Sequence, residues 1–545
     1  MLTINRFFKC NESLWQFYAL LILHYAVSVF CLFEKSVWYD YIILISTSSF
    51  IAIVEWGTIT LFPAKVRKIL FAICYSIYLM GLLVQLYLEY EFQQHISFST
   101  YILLHNTHID EIKNFLQAYA NPGLILFLPL TAFAFTYIIN KVSRTLQRLG
   151  RIFSLICYGF AAIGGCFMIF CVVSLRFKAE AFGITKYSII ASLSSYVSVM
   201  SDEQEDIANL VQTGSRVGDV KCNWKDRPNV VLVIGESCSI FHSSLYGYEK
   251  KTCPNMEKWK DRGNLLVFND AVSITDFTLT AMESIYTLET YKVGQFYNYT
   301  LFPYVFKKAG YDNVLFDNQY FIGEENTFMA DLKLSESMFN QRNSKRYKYD
   351  GEMVNALNLR KKPSLYIIHL YGQHYTYSER YPSSFIHFNA DQYNNKRWSK
   401  NQREVISHYD NATRYFDYVC NQIIEKFKGS NSCIVIISDH GEEVYEISSF
   451  MGHGTTMTTK DKNYQLRVPF AIFYSDEYKR LHPDIVEKTT LSLEKKVLTD
   501  DVSQLLLEIG GVDCDLFNPE RSVINELYQE KNRVVLDGVN FDEKI

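Results

Sequence analysis

The sequence has little excess charge of either sign: 54 Lys and Arg stand against 58 Asp and Glu, a formal net charge of −4. Without a basic patch to meet phosphates, nucleic acid is not an expected partner. Twelve cysteines are present, but the six beyond residue 200 (Cys222, Cys238, Cys253, Cys420, Cys433, Cys514) contain no CxxC pair, which excludes a zinc ribbon. Pairing among the cysteines stays open. The stretch Gly235-Glu236-Ser237-Cys238-Ser239 also lacks a second glycine where a Gly-x-Ser-x-Gly elbow needs one, which argues against a serine hydrolase. Cys238 there reads as a small buried packing residue.

What the chain has in quantity is apolar sequence, concentrated in its first third. Five segments, roughly Leu14–Phe33, Tyr39–Phe62, Ile69–Leu88, Gly123–Ile139 and Ile152–Leu175, each read as long enough to cross a bilayer, which takes about 20 residues as helix. The first is too long, and too poorly followed by small residues, for a signal peptide. Arg6 and Lys9, then Lys65, Arg67 and Lys68, then Lys141, Arg144, Arg148 and Arg151 occupy alternate flanks. That asymmetry places the N-terminus inside and everything after Leu175 outside. The intervening segment 89–122 is half apolar and should lie along the outer membrane–water boundary. The expected organisation is a transmembrane domain over 1–176, a connector over 177–228 and a soluble domain over 229–545. The acidic run Ser201-Asp202-Glu203-Gln204-Glu205-Asp206 in the connector reads as a solvated face.

From Asn229 onward, buried-strand runs ("NVVLVI", "NVLF", "SLYIIHL", "CIVIIS", "VPFAIFY") alternate with helical patterns such as "NATRYFDYVCNQIIEKF". The alternation predicts an α/β domain whose mostly parallel sheet lies between helices. Ligands of such sheets bind beyond the carboxyl ends of the strands. Glu236 follows the first run, Asp439-His440-Gly441-Glu442-Glu443 follows "CIVIIS", and His374 and His453 stand nearby in sequence to strand ends. Oxygen and imidazole together suit zinc, with manganese a poorer match. Adjacent ligands at Asp439 and His440 call for a turn that Gly441 permits.

The stretches "VLVIGES…SLYGYEKKTCPNM", "HLYGQHYTYSERYP", "YDNATRYFDY" and "IISDHGEE…GHGT" resemble the phosphoethanolamine transferases of Gram-negative bacteria. That group includes the mobile colistin-resistance enzymes. The resemblance implies an inner-membrane enzyme with a five-helix transmembrane bundle and a periplasmic α/β domain of alkaline phosphatase/sulfatase type. It further implies phosphatidylethanolamine as donor, a lipopolysaccharide acceptor (lipid A or core sugar), Zn2+ in preference to Mn2+, a monomer, and a contribution to polymyxin resistance. Matched by position, Glu236, Asp439 and His440 become zinc ligands. Thr280 in "AVSITDFTLTAMESIYTL" becomes the zinc-bound nucleophile, with Thr278 as the alternative. His374 and His453 fall near the transferred phosphate; Thr107 and Glu111 in the membrane-surface loop, and Asn318, fall with the substrate.

Two departures stand out. The CGTSTxxSVPC pattern of many lipid A-modifying relatives is absent, and Asp317-Asn318-Gln319 replaces Asp-Asn-Asn with no Lys after it. Both point toward the disulfide-poor branch that decorates core heptose. No Cys/Ser-x-Pro-x-Arg motif surrounds 270–290, against a formylglycine sulfatase. Two other readings remain: a phosphoglycerol transferase using phosphatidylglycerol, and an inactive glycolipid-binding membrane scaffold.

Overall fold

Four apolar helices open the computed structural model: α1 (Leu14–Val29), α2 (Trp38–Thr60), α3 (Ala64–Phe92) and α4 (Pro122–Arg148). The structure describes residues 14–29, 38–92, 122–148, 156–163, 165–166 and 203–545, the last without 293–294, 321, 323–326, 448–450, 454–458, 536–537, 539 and 544–545. The chain divides into two units, Met1–Asp202 and Glu203–Ile545. Thr107 and Glu111, with nearly all of the 89–122 segment, lie outside the described residues.

In the first unit the helices fall on the first four predicted spans, and residues 156–163 within the fifth are helical as well. α1 packs against the other three, burying Ala19, Leu20, Leu23 and Val27 with Ile59, Tyr78, Leu82 and Ile139. A polar knot ties three of these helices together: His24 Nε2 lies 3.0 Å from Glu55 Oε2, and the Tyr78 hydroxyl donates to the same carboxylate. Among the described residues, one helix, Ala64–Tyr87, is long and apolar enough to cross a membrane, with a mean hydropathy of 2.1. Leu14–Val27 and Leu44–Thr60 are shorter apolar stretches. Glu55 interrupts α2, and Lys141, Arg144 and Arg148 charge the end of α4. On α3, Ile69, Ile73, Ile77, Met80 and Val84 recur at helical spacing and are all exposed, so its outward face is apolar.

The second unit begins within the expected connector: Glu203–Arg216 is a helix, and Val220–Cys222 pairs with Val512–Cys514. Among the described residues seven strands form one sheet: β1 (Asn229–Gly235), β2 (Leu265–Phe268), β3 (Asp312–Asp317), β4 (Gln341–Arg342), β5 (Ser364–His369), β6 (Ser432–Ser438) and β7 (Phe470–Tyr474). Their spatial order is β2-β7-β6-β1-β5-β3-β4. All pairings are parallel except the two made by β7, which runs against both β6 and β2. The central strands β1, β5 and β6 are buried almost throughout, which is why their sequences are continuous apolar runs and do not alternate. One face packs on the long helix α5 (Lys400–Phe427) through Phe416, Val419, Ile423 and Phe427. The other packs on a layer that includes Met282, Ile285, Phe302 and Leu506. The long helix starts eleven residues before its predicted start, because Ser399 and Gln402 form a reciprocal capping box.

Three local devices fix the strand ends that carry chemistry. Ser237, the second residue after β1, has a left-handed backbone (φ 56°), a conformation costly for a residue with a Cβ. Tyr409 on α5 holds that turn: its hydroxyl accepts from Ser239 N at 2.8 Å and donates to Ser237 O at 2.5 Å. Gly372 (φ 49°) lies so close to β1 that an added Cβ would sit 2.7 Å from Glu236 N. Gly441 has a different role from the turn expected of it. A Cβ there would meet the Tyr464 carbonyl oxygen at 2.4 Å, so the position is needed for close backbone approach. Tyr409→Phe keeps the ring but leaves Ser239 N and Ser237 O buried without partners. It should lower the unfolding free energy of the full chain by about 1–3 kcal/mol, read by denaturant titration; an unchanged midpoint would contradict the buttress.

Candidate metal and nucleophile site

Three buried ionisable side chains meet where β1 and β6 end. Ligand atoms of Glu236, Asp439 and His440 all lie within 4.8 Å of one another, and each residue is fully buried. His440 donates Nδ1–H to the Gly441 carbonyl at 2.8 Å. That bond sets the tautomer and leaves Nε2 bare, 3.3 Å from Glu236 Oε1 and 3.3 Å from Asp439 Oδ2. Asp439 Oδ1 accepts from Ser237 N at 3.1 Å and His440 N at 2.7 Å. Its Oδ2 is buried yet accepts no hydrogen bond. A carboxylate oxygen in that state, facing a bare imidazole nitrogen and a second carboxylate, is a cation ligand in waiting.

The electrostatics agree. Burial by itself would raise Glu236, but the nearby His440 and His374 rings hold it well below the usual carboxylate range. Burial and the Glu236 charge push Asp439 up to about 7. Burial opposes the charge on His440, yet Asp439 and Glu236 carry it well above the usual imidazole range.

The hydroxyl that joins this cluster belongs to Thr278. It is the first residue of a helix, Thr278–Tyr286. Its Oγ1 lies 3.3 Å from Glu236 Oε1, 3.2 Å from Oε2 and 3.3 Å from His440 Nε2. Thr280, expected in that place, makes none of these contacts. Successive helix residues rotate by about 100°, so two residues on a side chain points nearly the opposite way. One imidazole nitrogen, two carboxylates and the Thr278 hydroxyl form a four-ligand set of the type zinc takes.

A second arrangement adjoins the first. His453 Nδ1 lies 2.6 Å from Glu442 Oε2, and its ring centroid is 4.1 Å from that of His440. Glu442 is fixed in turn by the Tyr377 hydroxyl, 2.5 Å from Oε1. The carboxylate sets the orientation of His453, whose side chain is 27% exposed and so open to a ligand. Glu442 was visible in Asp-His-Gly-Glu-Glu but not distinguishable from Glu443; its contact with His453 separates them. His374 stacks on Tyr371 with centroids 5.1 Å apart, and Arg380 lies 4.1 Å from the same Tyr371 ring.

Asn318, Ser237 and Cys238 are all buried beside this site. Asn318 has both ends of its amide engaged inside the protein: Nδ2 donates to Asp350 at 2.9 Å and Oδ1 accepts from Tyr347 N at 2.8 Å. With 4% exposure it braces the loop from inside the protein. Ser237 does have a strained, elbow-like backbone, but its hydroxyl is buried and donates to Glu236 Oε1 at 3.0 Å. Cys238 is buried beside Gln373 Oε1, 2.9 Å from its sulfur, and burial pushes its thiol well up. All nine described cysteines are free thiols.

Phosphoethanolamine transferase EptC of Escherichia coli K12 is 28% identical over 329 residues, covering 57% of this chain and 56% of that protein. The chain thus spans about half the length of the curated relatives it matches. The zinc complex of the C-terminal periplasmic domain of E. coli EptC superposes with a TM-score of 0.52 at 26% identity, over 60% of this chain and 94% of that one. The fold of an integral membrane protein, lipooligosaccharide phosphoethanolamine transferase A of Neisseria meningitidis, matches 94% of this chain and 98% of its own (TM-score 0.58, 17% identity). The Sulfatase family profile matches residues 228–505, just over half of the 545 residues. The chain belongs to the sulfatase family.

Proposed function

We propose that this protein is a membrane-anchored transferase that moves phosphoethanolamine from phosphatidylethanolamine to a lipopolysaccharide acceptor, lipid A or a core sugar, with Thr278 as nucleophile. The observation that carries this reading is the contact of Thr278 Oγ1 with both Glu236 and His440 at the start of a helix. The similarity to EptC, one of whose domains is known as a zinc complex, supports the donor set's fit to zinc. Glu236, Asp439, His440 Nε2 and Thr278 Oγ1 would hold the ion. Zinc supplies, when bound, charge that lowers the pKa of a hydroxyl and offsets negative charge on a phosphoryl oxygen.

The chain's own groups account for the remaining steps. Thr278 Oγ attacks the donor phosphorus, the bond from phosphorus to the diacylglycerol oxygen breaks, and phosphoethanolamine stays esterified to Thr278. His453, oriented by Glu442, gives a proton to the departing diacylglycerol oxygen and takes one from the acceptor hydroxyl or phosphate in the second half-reaction. The acceptor oxygen then displaces Thr278 from phosphorus, and Thr278 leaves as the same oxyanion that attacked in the first half-reaction. A helix start at Thr278 adds unpaired amide N–H groups and the positive dipole end where phosphoryl charge develops. The exposed apolar face of α3 fits a lipid environment, and an anchored enzyme fits two lipid substrates. The inner membrane, with the second unit in the periplasm, is the location this reading requires.

Thr278→Ala should abolish transfer of labelled phosphoethanolamine, a loss of about 10³-fold or more, while Thr280→Ala stays close to the parent rate. The reverse pattern would return the role to Thr280. Presenting phosphatidylethanolamine and phosphatidylglycerol side by side tests the donor; transfer from phosphatidylglycerol alone would favour a phosphoglycerol transferase. Glu442→Gln should lower kcat by about 10–100-fold with KM nearly unchanged, because His453 loses its orienting charge. A rise in KM alone would place Glu442 in substrate binding. Mass spectrometry of lipid A and core oligosaccharide from cells with and without the protein should show added phosphoethanolamine on one fraction.

A further inference from the structure

We infer that Gln319 is a positioning residue for the Glu236 carboxylate and is itself fixed by a buried Asp317–His369 pair. The inference rests on the reading of Glu236 as a metal ligand. Gln319 follows β3 and is 7% exposed. Its Nε2 lies 2.8 Å from Glu236 Oε2, 3.0 Å from His369 Nε2 and 3.0 Å from the Leu370 carbonyl oxygen. Three acceptors thus surround one amide nitrogen. The reversed amide would point its oxygen at a carboxylate and a carbonyl, so only one orientation is electrostatically allowed.

His369 supplies the lock. It closes β5, is fully buried, and its Nδ1 lies 3.2 Å from Asp317 Oδ1 at the end of the neighbouring strand β3. A proton on Nδ1 directed at Asp317 leaves Nε2 bare to accept from the Gln319 amide. Asp317 Oδ1 also accepts from Gln319 N and Tyr320 N, each at 2.8 Å. Asn343 grips the Asp317 backbone on both sides, accepting from its N–H at 3.0 Å and donating to its carbonyl at 2.8 Å. The chain Asp317–His369–Gln319–Glu236 therefore runs across the ends of β3, β5 and β1. Asp317, His369 and Gln319 make no hydrogen bond to Asp439 or His440, so the ligand this chain braces directly is Glu236. An apolar side chain at 319 would leave Glu236 Oε2 with only the Thr278 hydroxyl, free to rotate out of the ligand set.

The test is zinc affinity of the full-length protein in detergent, stripped of metal and titrated with Zn2+ against a chromophoric chelator. Gln319→Met, close in volume but without the amide, should weaken zinc binding by about 10–100-fold. His369→Phe, which keeps a ring beside Tyr320, should weaken it by less. The double variant should lose no more than Gln319→Met does, because both changes cut one chain. Parent-like affinity in Gln319→Met, or losses that multiply in the double variant, would overturn the proposal. Should the metal-free Gln319→Met protein not fold, unchanged affinity in His369→Phe overturns it equally. Absence of zinc binding by the parent protein would instead defeat the metal-site reading itself, and needs no variant to detect.

Discussion

Two carboxylates, Glu236 and Asp439, are buried within reach of one imidazole, and the second unit is organised around making that tolerable. Like charges at this range in a protein interior repel strongly. The fold offsets the repulsion with donors from two strand ends and one helix start: Ser237 N and His440 N on Asp439, and the Thr278 hydroxyl on Glu236. What remains uncompensated is the Asp439 Oδ2 atom. A cation at that point would satisfy it, and the same cation would touch the Thr278 oxygen. Structural need and chemical use thus converge on one position.

The parallel centre of the sheet makes this convergence possible. Adjacent parallel strands end on the same edge, so residues far apart in sequence, Glu236, Asp317, His369 and Asp439, finish side by side. The strain at Ser237 and the close backbone approaches at Gly372 and Gly441 are the local cost of bringing β1, β5 and β6 loops together. Tyr377 and Glu442 then extend the site toward solvent through His453. The buried part of the site holds Glu236, Asp439 and His440 still, whereas His453 stays partly open.

Much of this was legible in sequence, and the failures have physical causes. Five strands could be read because burial on both faces turns them into unbroken apolar runs, and Asp439-His440 could be read because it follows one of them. β2 and β4 were not seen: the first, Leu265–Phe268, is short, and β4 is two polar residues at a sheet edge. Thr278 and Thr280 differ only in helix phase, which depends on where the helix begins and leaves no mark in "TLTAM". Asn318 and Gln319 are adjacent amides, and only the turn after β3 decides that the first braces the loop while the second reaches Glu236. The nine described cysteines are unpaired, and none lies in the stretch 271–288 that carries Thr278.

If Thr278 is the nucleophile, its oxygen and no other carries the transferred group. The most direct measurement is peptide mass spectrometry of the zinc-loaded protein after incubation with phosphatidylethanolamine and no acceptor. A mass increase of one phosphoethanolamine localised to Thr278 by fragmentation is the predicted result. An increase localised to Thr280 or Ser237, or donor turnover with no covalent adduct at any time, would contradict it.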